Sequence, residues 1–143
     1  MVVFTVTGET LLLERLRPAF WQSVTGSLER PNETPEDAAR REVYEETGIE
    51  SAAGWFDWKI SRYFQILSAY RHRFAPGTRL NHEHMFSLQL PEPCSVNLMQ
   101  EEHSGSEWLP LTKSRDRVWS WTNRAALDQV AALSARERSD VTS

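Results

Sequence analysis

The apolar positions of this chain follow two rhythms, an alternation of two and a helical spacing near four. Val2 to Val6 and Thr10 to Leu13 are short, apolar-rich runs separated by Thr7-Gly8-Glu9, and they predict two strands joined by a turn. Beyond Pro18, Phe20-Trp21-Gln22-Ser23-Val24-Thr25 predicts a third strand ending at Gly26. From Ile60 to Phe74 the chain has strand character. Phe64, Ile66, Tyr70, His72 and Phe74 alternate there with Tyr63, Leu67, Arg71 and Arg73, until Pro76-Gly77 breaks the run. Met85 to Leu90 alternates again, with Phe86, Leu88 and Leu90 on one face, and stops at Pro91. A loop is expected from Pro91 to about Ser106, then a short strand at Trp108-Leu109 before Pro110.

Helical spacing appears twice. Thr34 suits an N-cap, Pro35 the first helical position and Asp37 the capping-box acid, while Glu36 and Asp37 complement the helix dipole. Gly48 suits a left-handed C-terminal cap, so a helix is bounded on both sides by local chemistry. A second helix is expected from Thr122 or Asn123 to about Leu133, with Ala126, Val130 and Leu133 on one face. Residues 134–143 are polar and expected to fray. Strands interleaved with two helices predict an α/β sandwich, a mixed sheet covered on both faces.

Composition changes this picture little but excludes several functions. A chain of 143 residues, 40% hydrophobic and 25% charged, suits one globular domain over residues 1–133 with a polar tail. A net charge of −4 argues against binding a nucleic-acid polymer or a membrane surface, yet allows a small phosphorylated ligand screened by a metal. The single cysteine, Cys94, rules out an intramolecular disulfide and fits a reducing compartment. No targeting run or membrane-length apolar stretch is present, and a cytoplasmic location is expected. Oligomeric state is not legible.

The candidate chemistry lies on the first helix. Glu42, Glu45 and Glu46 fall at i, i+3 and i+4, so all three carboxylates share one face. Like charges so close repel and need positive charge nearby. Arg41, with Glu45 at i+4, offsets part of this. A hard divalent cation such as Mg2+, with Mn2+ as the alternative, suits the rest because it prefers carboxylate oxygens. A solvated acidic face is the plainer reading of the same pattern.

Arg41-Glu42-Val43-Tyr44-Glu45-Glu46-Thr47-Gly48-Ile49, with Glu33 before it, resembles the Nudix box. There is one departure. Ser27 stands where the family glycine falls and Gly26 one residue earlier, so Glu29-Arg30-Pro31-Asn32 reads as a one-residue insertion. The resemblance implies the Nudix fold, an α/β/α sandwich, and metal-assisted hydrolysis of a phosphoric anhydride. It implies metal binding by Glu42, Glu45 and Glu46, with Arg41 positioning them. By its distance before Trp108-Leu109, Glu102 matches a loop glutamate that adds a ligand or acts as base.

Three further segments are similar to bacterial Nudix hydrolases that act on dihydroneopterin triphosphate in folate biosynthesis: Phe20 to Ser27, Arg71 to Gly77, and Ser120 to Arg124. The implied reaction releases pyrophosphate from that substrate. Arg71 and Arg73 share one side of their strand beside a Pro-Gly turn and suit bidentate phosphate binding. Phe20, Tyr70 and Phe74 are candidates for stacking the pterin ring. Phe20, Trp21 and Trp121 also suit plain packing, and His82, His84 and His103 are expected to be structural or on the surface. Two rivals remain: a hydrolase of dATP or oxidised nucleotides, and a non-catalytic binding module. The second would be expected to lack a box carboxylate, and all three are present.

Overall fold

β1 (Val2–Thr5) is buried along its whole length, as four apolar or β-branched residues with no exposed face require. In the computed structural model, which describes residues 1–16, 19–24, 32–65, 80–98 and 103–142, this strand sits inside a mixed sheet. Its neighbours are β2 (Glu9–Leu16), antiparallel, and β5 (Leu80–Leu90), parallel, with Val3 opposite Leu88. β2 also pairs antiparallel with β3 (Ala19–Gln22) and β6 (His103–Pro110), while β4 (Trp55–Gln65) pairs antiparallel with β5.

Alternation along the strands divides the core into two layers. Val3, Leu11, Leu13, Val24, Leu88 and Leu90 pack with Val43 and Ile49 of the segment around α1 (Pro35–Thr47). Val2, Phe4, Leu12 and Met85 pack on the other face with Leu111 of α2 (Leu111–Ser114) and with Ala126, Leu127 and Val130 of α3 (Trp121–Thr142). The expected α/β/α sandwich is therefore observed. Each buried leucine side chain contributes roughly 1.5–3 kcal/mol through removal from water.

Several boundaries differ from expectation. β3 stops at Gln22, short of Thr25. β2 reaches Leu16, because β3 and β6 flank its polar end and complete its ladders. β4 begins at Trp55 rather than Ile60. An irregularity between Asp57 and Ser61, where Lys59 takes φ 55°, hides the alternation there, and the Asp57 carboxylate accepts the Lys59 N–H at 2.8 Å. β6 begins at His103, inside the expected loop. Ser104, Gly105 and Ser106 have little strand propensity, and pairing with β2 overrides it. α2 was not anticipated. α3 continues to Thr142 instead of ending near Leu133, in a segment free of Gly and Pro, the residues that most disfavour a helix. The Ile66–Phe74 part of the expected fourth strand lies outside the described residues.

Gly54 joins α1 to β4 at φ 92°, and a Cβ there would stand 2.2 Å from the Gln89 carbonyl. Its own carbonyl accepts the Gln89 N–H at 2.9 Å. Only glycine permits this approach.

Candidate active site on the acidic helix

α1 begins at the predicted N-cap and ends at the predicted glycine. Thr34 Oγ1 accepts the Asp37 N–H at 3.1 Å, Pro35 occupies the first turn, and Gly48 closes the helix at φ 74° with its N–H donating to the Tyr44 carbonyl at 2.8 Å. Rotation is set by the buried stripe Ala38, Ala39, Val43 and Thr47 against the sheet. Glu42 and Glu46 flank that stripe and are only 6% and 3% exposed. Such burial is costly for carboxylates unless opposite charge is near.

Arg41 supplies it. Its Nε and Nη2 donate to the two oxygens of Glu33 at 2.7 and 2.9 Å. Its Nη1 donates to Glu42 at 2.7 Å and to Glu45 at 3.1 Å. The Glu33 hydrogen bonds, then those with Glu42, raise the Arg41 pKa above its ordinary value, so the guanidinium is permanently charged. One positive charge thus serves three carboxylates, and these four side chains sum to −2 (+1 against −3). The deficit and the hard oxygen donors fit a divalent cation. Among the described residues, no three His, Cys, Asp or Glu side chains are already gathered around one point. Glu42 and Glu45 instead turn toward Arg41.

Sequence reasoning paired Arg41 with Glu45 and used Glu33 only as a spacing marker. The fork between Arg41 and Glu33 was missed, because the eight-residue separation is closed by the loop entering the helix. Glu102, Tyr70, Arg71, Arg73 and Phe74 lie outside the described residues, as do Glu29, Arg30 and Pro31 of the inserted segment, whereas Asn32 is described and takes φ 65°.

Phe20 is half-buried on β3, its ring 4.9 Å from that of Trp119 at 57°. Trp21 packs on the α3 layer beneath Arg117, whose guanidinium lies 4.8 Å from the ring centre. Trp121, expected to pack, is exposed, because the first turn of α3 buries Thr122 and Asn123 instead. His84 is exposed and His103 buried. The structure also joins two segments that sequence reading could only set side by side. Asn123 Oδ1 accepts the Ser23 N–H and Asn123 Nδ2 donates to Ser23 Oγ, both at 2.9 Å. Arg15, Gln22 and His103, all buried, are polar residues that no motif had flagged together.

Comparison with known proteins agrees with this architecture. The chain matches the NUDIX domain model over residues 1–130. It is 40% identical over 127 residues to the dihydroneopterin triphosphate diphosphatase of Escherichia coli, covering 86% of this chain and 83% of that protein. It is 33% identical over 132 residues to the enzyme of the same name from Haemophilus influenzae, covering 89% and 82%. The solved structure of the E. coli dihydroneopterin triphosphate pyrophosphohydrolase superimposes with a TM-score of 0.83 at 38% identity, over 92% of this chain and 91% of that one. With the box carboxylates held on α1 and the family pattern spanning most of its length, this chain belongs to the Nudix family.

Proposed function

We propose that this protein hydrolyses dihydroneopterin triphosphate to dihydroneopterin monophosphate and pyrophosphate, using Mg2+. The observation that carries the reading is the complete acidic face of α1, with Glu42 and Glu46 buried and one guanidinium shared among Glu33, Glu42 and Glu45. The substrate is supported by the names of relatives at 40% and 33% identity. Nudix hydrolases in general use divalent metal ions.

Glu42, Glu45 and Glu46 are the residues that would hold the metal, joined by Glu102. When bound, Mg2+ neutralises phosphate charge and acidifies water. The chain's own part is to present three carboxylates on one helix face and hold their orientation. Arg41 does this for Glu42 and Glu45 by charge-assisted hydrogen bonds, and Glu33 fixes the guanidinium so that it cannot swing away. Water attacks a phosphorus of the triphosphate, an anhydride P–O bond breaks, and pyrophosphate leaves with the bonding pair. Arg71 and Arg73 bind the phosphates, and Phe20, Tyr70 and Phe74 stack the ring. The exposed free thiol of Cys94 suits a reducing, cytoplasmic setting.

The test offers purified protein and Mg2+ dihydroneopterin triphosphate beside a panel including dATP and oxidised dNTPs, and measures pyrophosphate release. Highest kcat/KM on the pterin substrate is expected. Preference for a dNTP overturns the substrate, and silence on every compound points to a binding module.

A further inference from the structure

We propose that the side-chain amide of Gln22 hydrogen-bonds the oxo-bearing edge of the substrate's heterocycle and so sets specificity for oxo rings over adenine. The inference rests on the proposed hydrolysis and extends it by naming the residue that reads the ring. Gln22 ends β3 and is 7% exposed, and among the described residues its Nε2 has no hydrogen-bond partner. Buried amides are almost always paired, so an orphaned donor marks a place where a partner arrives from outside.

The register says which side it faces. Leu11, Leu13 and Arg15 alternate onto the sheet face that α1 covers. Gln22 stands opposite Leu13, Phe20 opposite Arg15, and His103 opposite Arg15 from the other strand. Cross-strand partners share a face, so Gln22, Phe20, Arg15 and His103 point into the same layer as Glu42 and Glu46. That layer is apolar through Leu11, Leu13, Val24 and Val43, then turns polar beyond them. Gln22 and Arg15 are diagonal neighbours, roughly 7–8 Å apart.

A planar heterocycle needs an aromatic wall and an oriented polar contact. Phe20, two residues from Gln22 on the same side and braced by Trp119, supplies the wall. The Gln22 amide supplies the contact. The 4-oxo group of a pterin accepts its N–H. Adenine carries an amino donor, not an oxo acceptor, in the corresponding place.

The test compares wild type with Gln22→Met, which keeps the volume and removes the amide. Two quantities are read: kcat/KM on dihydroneopterin triphosphate and on dATP with Mg2+, and the Kd of unphosphorylated dihydroneopterin by titration. The variant should lose about 10-fold on the pterin substrate, mainly through KM, and stay within about twofold on dATP. Its Kd for dihydroneopterin should weaken by a similar factor, and its Tm should not fall, since a buried unpaired donor has been removed. Equal losses on both substrates, or an unchanged Kd, overturns the proposal. Absence of wild-type turnover on dihydroneopterin triphosphate overturns the activity instead, and the Kd comparison still decides the role of Gln22. Should Gln22→Met not fold, Gln22→Asn, which shortens the amide's reach, gives the same comparison.

Discussion

Arg41 and Glu33 meet fork to fork, with two parallel hydrogen bonds of 2.7 and 2.9 Å between side chains only 9% and 6% exposed. The pair anchors the end of a loop to the middle of α1 and leaves Nη1 free to reach Glu42 and Glu45. Lysine carries the charge but lacks the fork. Arg41→Lys, which keeps the charge, should therefore cost stability, up to the roughly 3–5 kcal/mol of breaking a buried ion pair. Urea denaturation measures this, and an unchanged midpoint would show that the fork is not structural.

Glu46 is the most buried of the three box carboxylates. Glu46→Gln keeps the shape and removes the charge, so it should abolish turnover while leaving the far-ultraviolet CD spectrum intact. The same variant separates binding from chemistry. Mg2+ at 100 times its Kd should stabilise the wild type by about 2.7 kcal/mol, and most of that increment should vanish in Glu46→Gln. Retained activity would remove Glu46 from the metal site.

Asn123 ties the start of α3 to the residue after β3 through both of its amide atoms. Asn123→Ala leaves the buried Ser23 N–H and hydroxyl without these partners. A loss of about 1–3 kcal/mol is expected. Because Ser23 follows Gln22 directly, KM for the triphosphate should rise as well. Loss of stability with unaltered KM would confine the clasp to a structural role.

Glu9 accepts hydrogen bonds from the hydroxyls of Thr5 and then Thr7, which lower its pKa below the ordinary 4.5. A folded-state pKa below the unfolded one stabilises the fold above about pH 4.5 and loses that contribution as pH falls through the folded value. The stability gap between wild type and Glu9→Gln should accordingly be widest near neutrality and close on acidification. Urea midpoints between pH 3 and 7 test this, and a gap that widens toward acid contradicts it.

The elements most legible in advance were those with local causes. Thr34, Pro35 and Gly48 specify α1 by capping chemistry that needs no distant partner, and their structure is as expected. β6 and the early part of β4 were less legible. Ser104-Gly105-Ser106 becomes strand only because β2 offers an unpaired edge, and Asp57 to Ser61 interrupts its own alternation. Trp121 was misjudged for a related reason. Its hydrophobicity says that it should be buried, whereas the docking of Asn123 onto Ser23 decides which side of α3 turns inward.

By itself, then, the order of residues determined the acidic helix, because caps and i, i+3, i+4 spacing act over a few residues along one axis, while its resemblance to the Nudix box implied the family and the class of reaction. Only the tertiary structure decided that one guanidinium is shared among Glu33, Glu42 and Glu45, and that Gln22 Nε2, on the face α1 covers, has no partner among the described residues. Those facts depend on strand register and loop closure between distant segments, which are set by packing and carry no local signature.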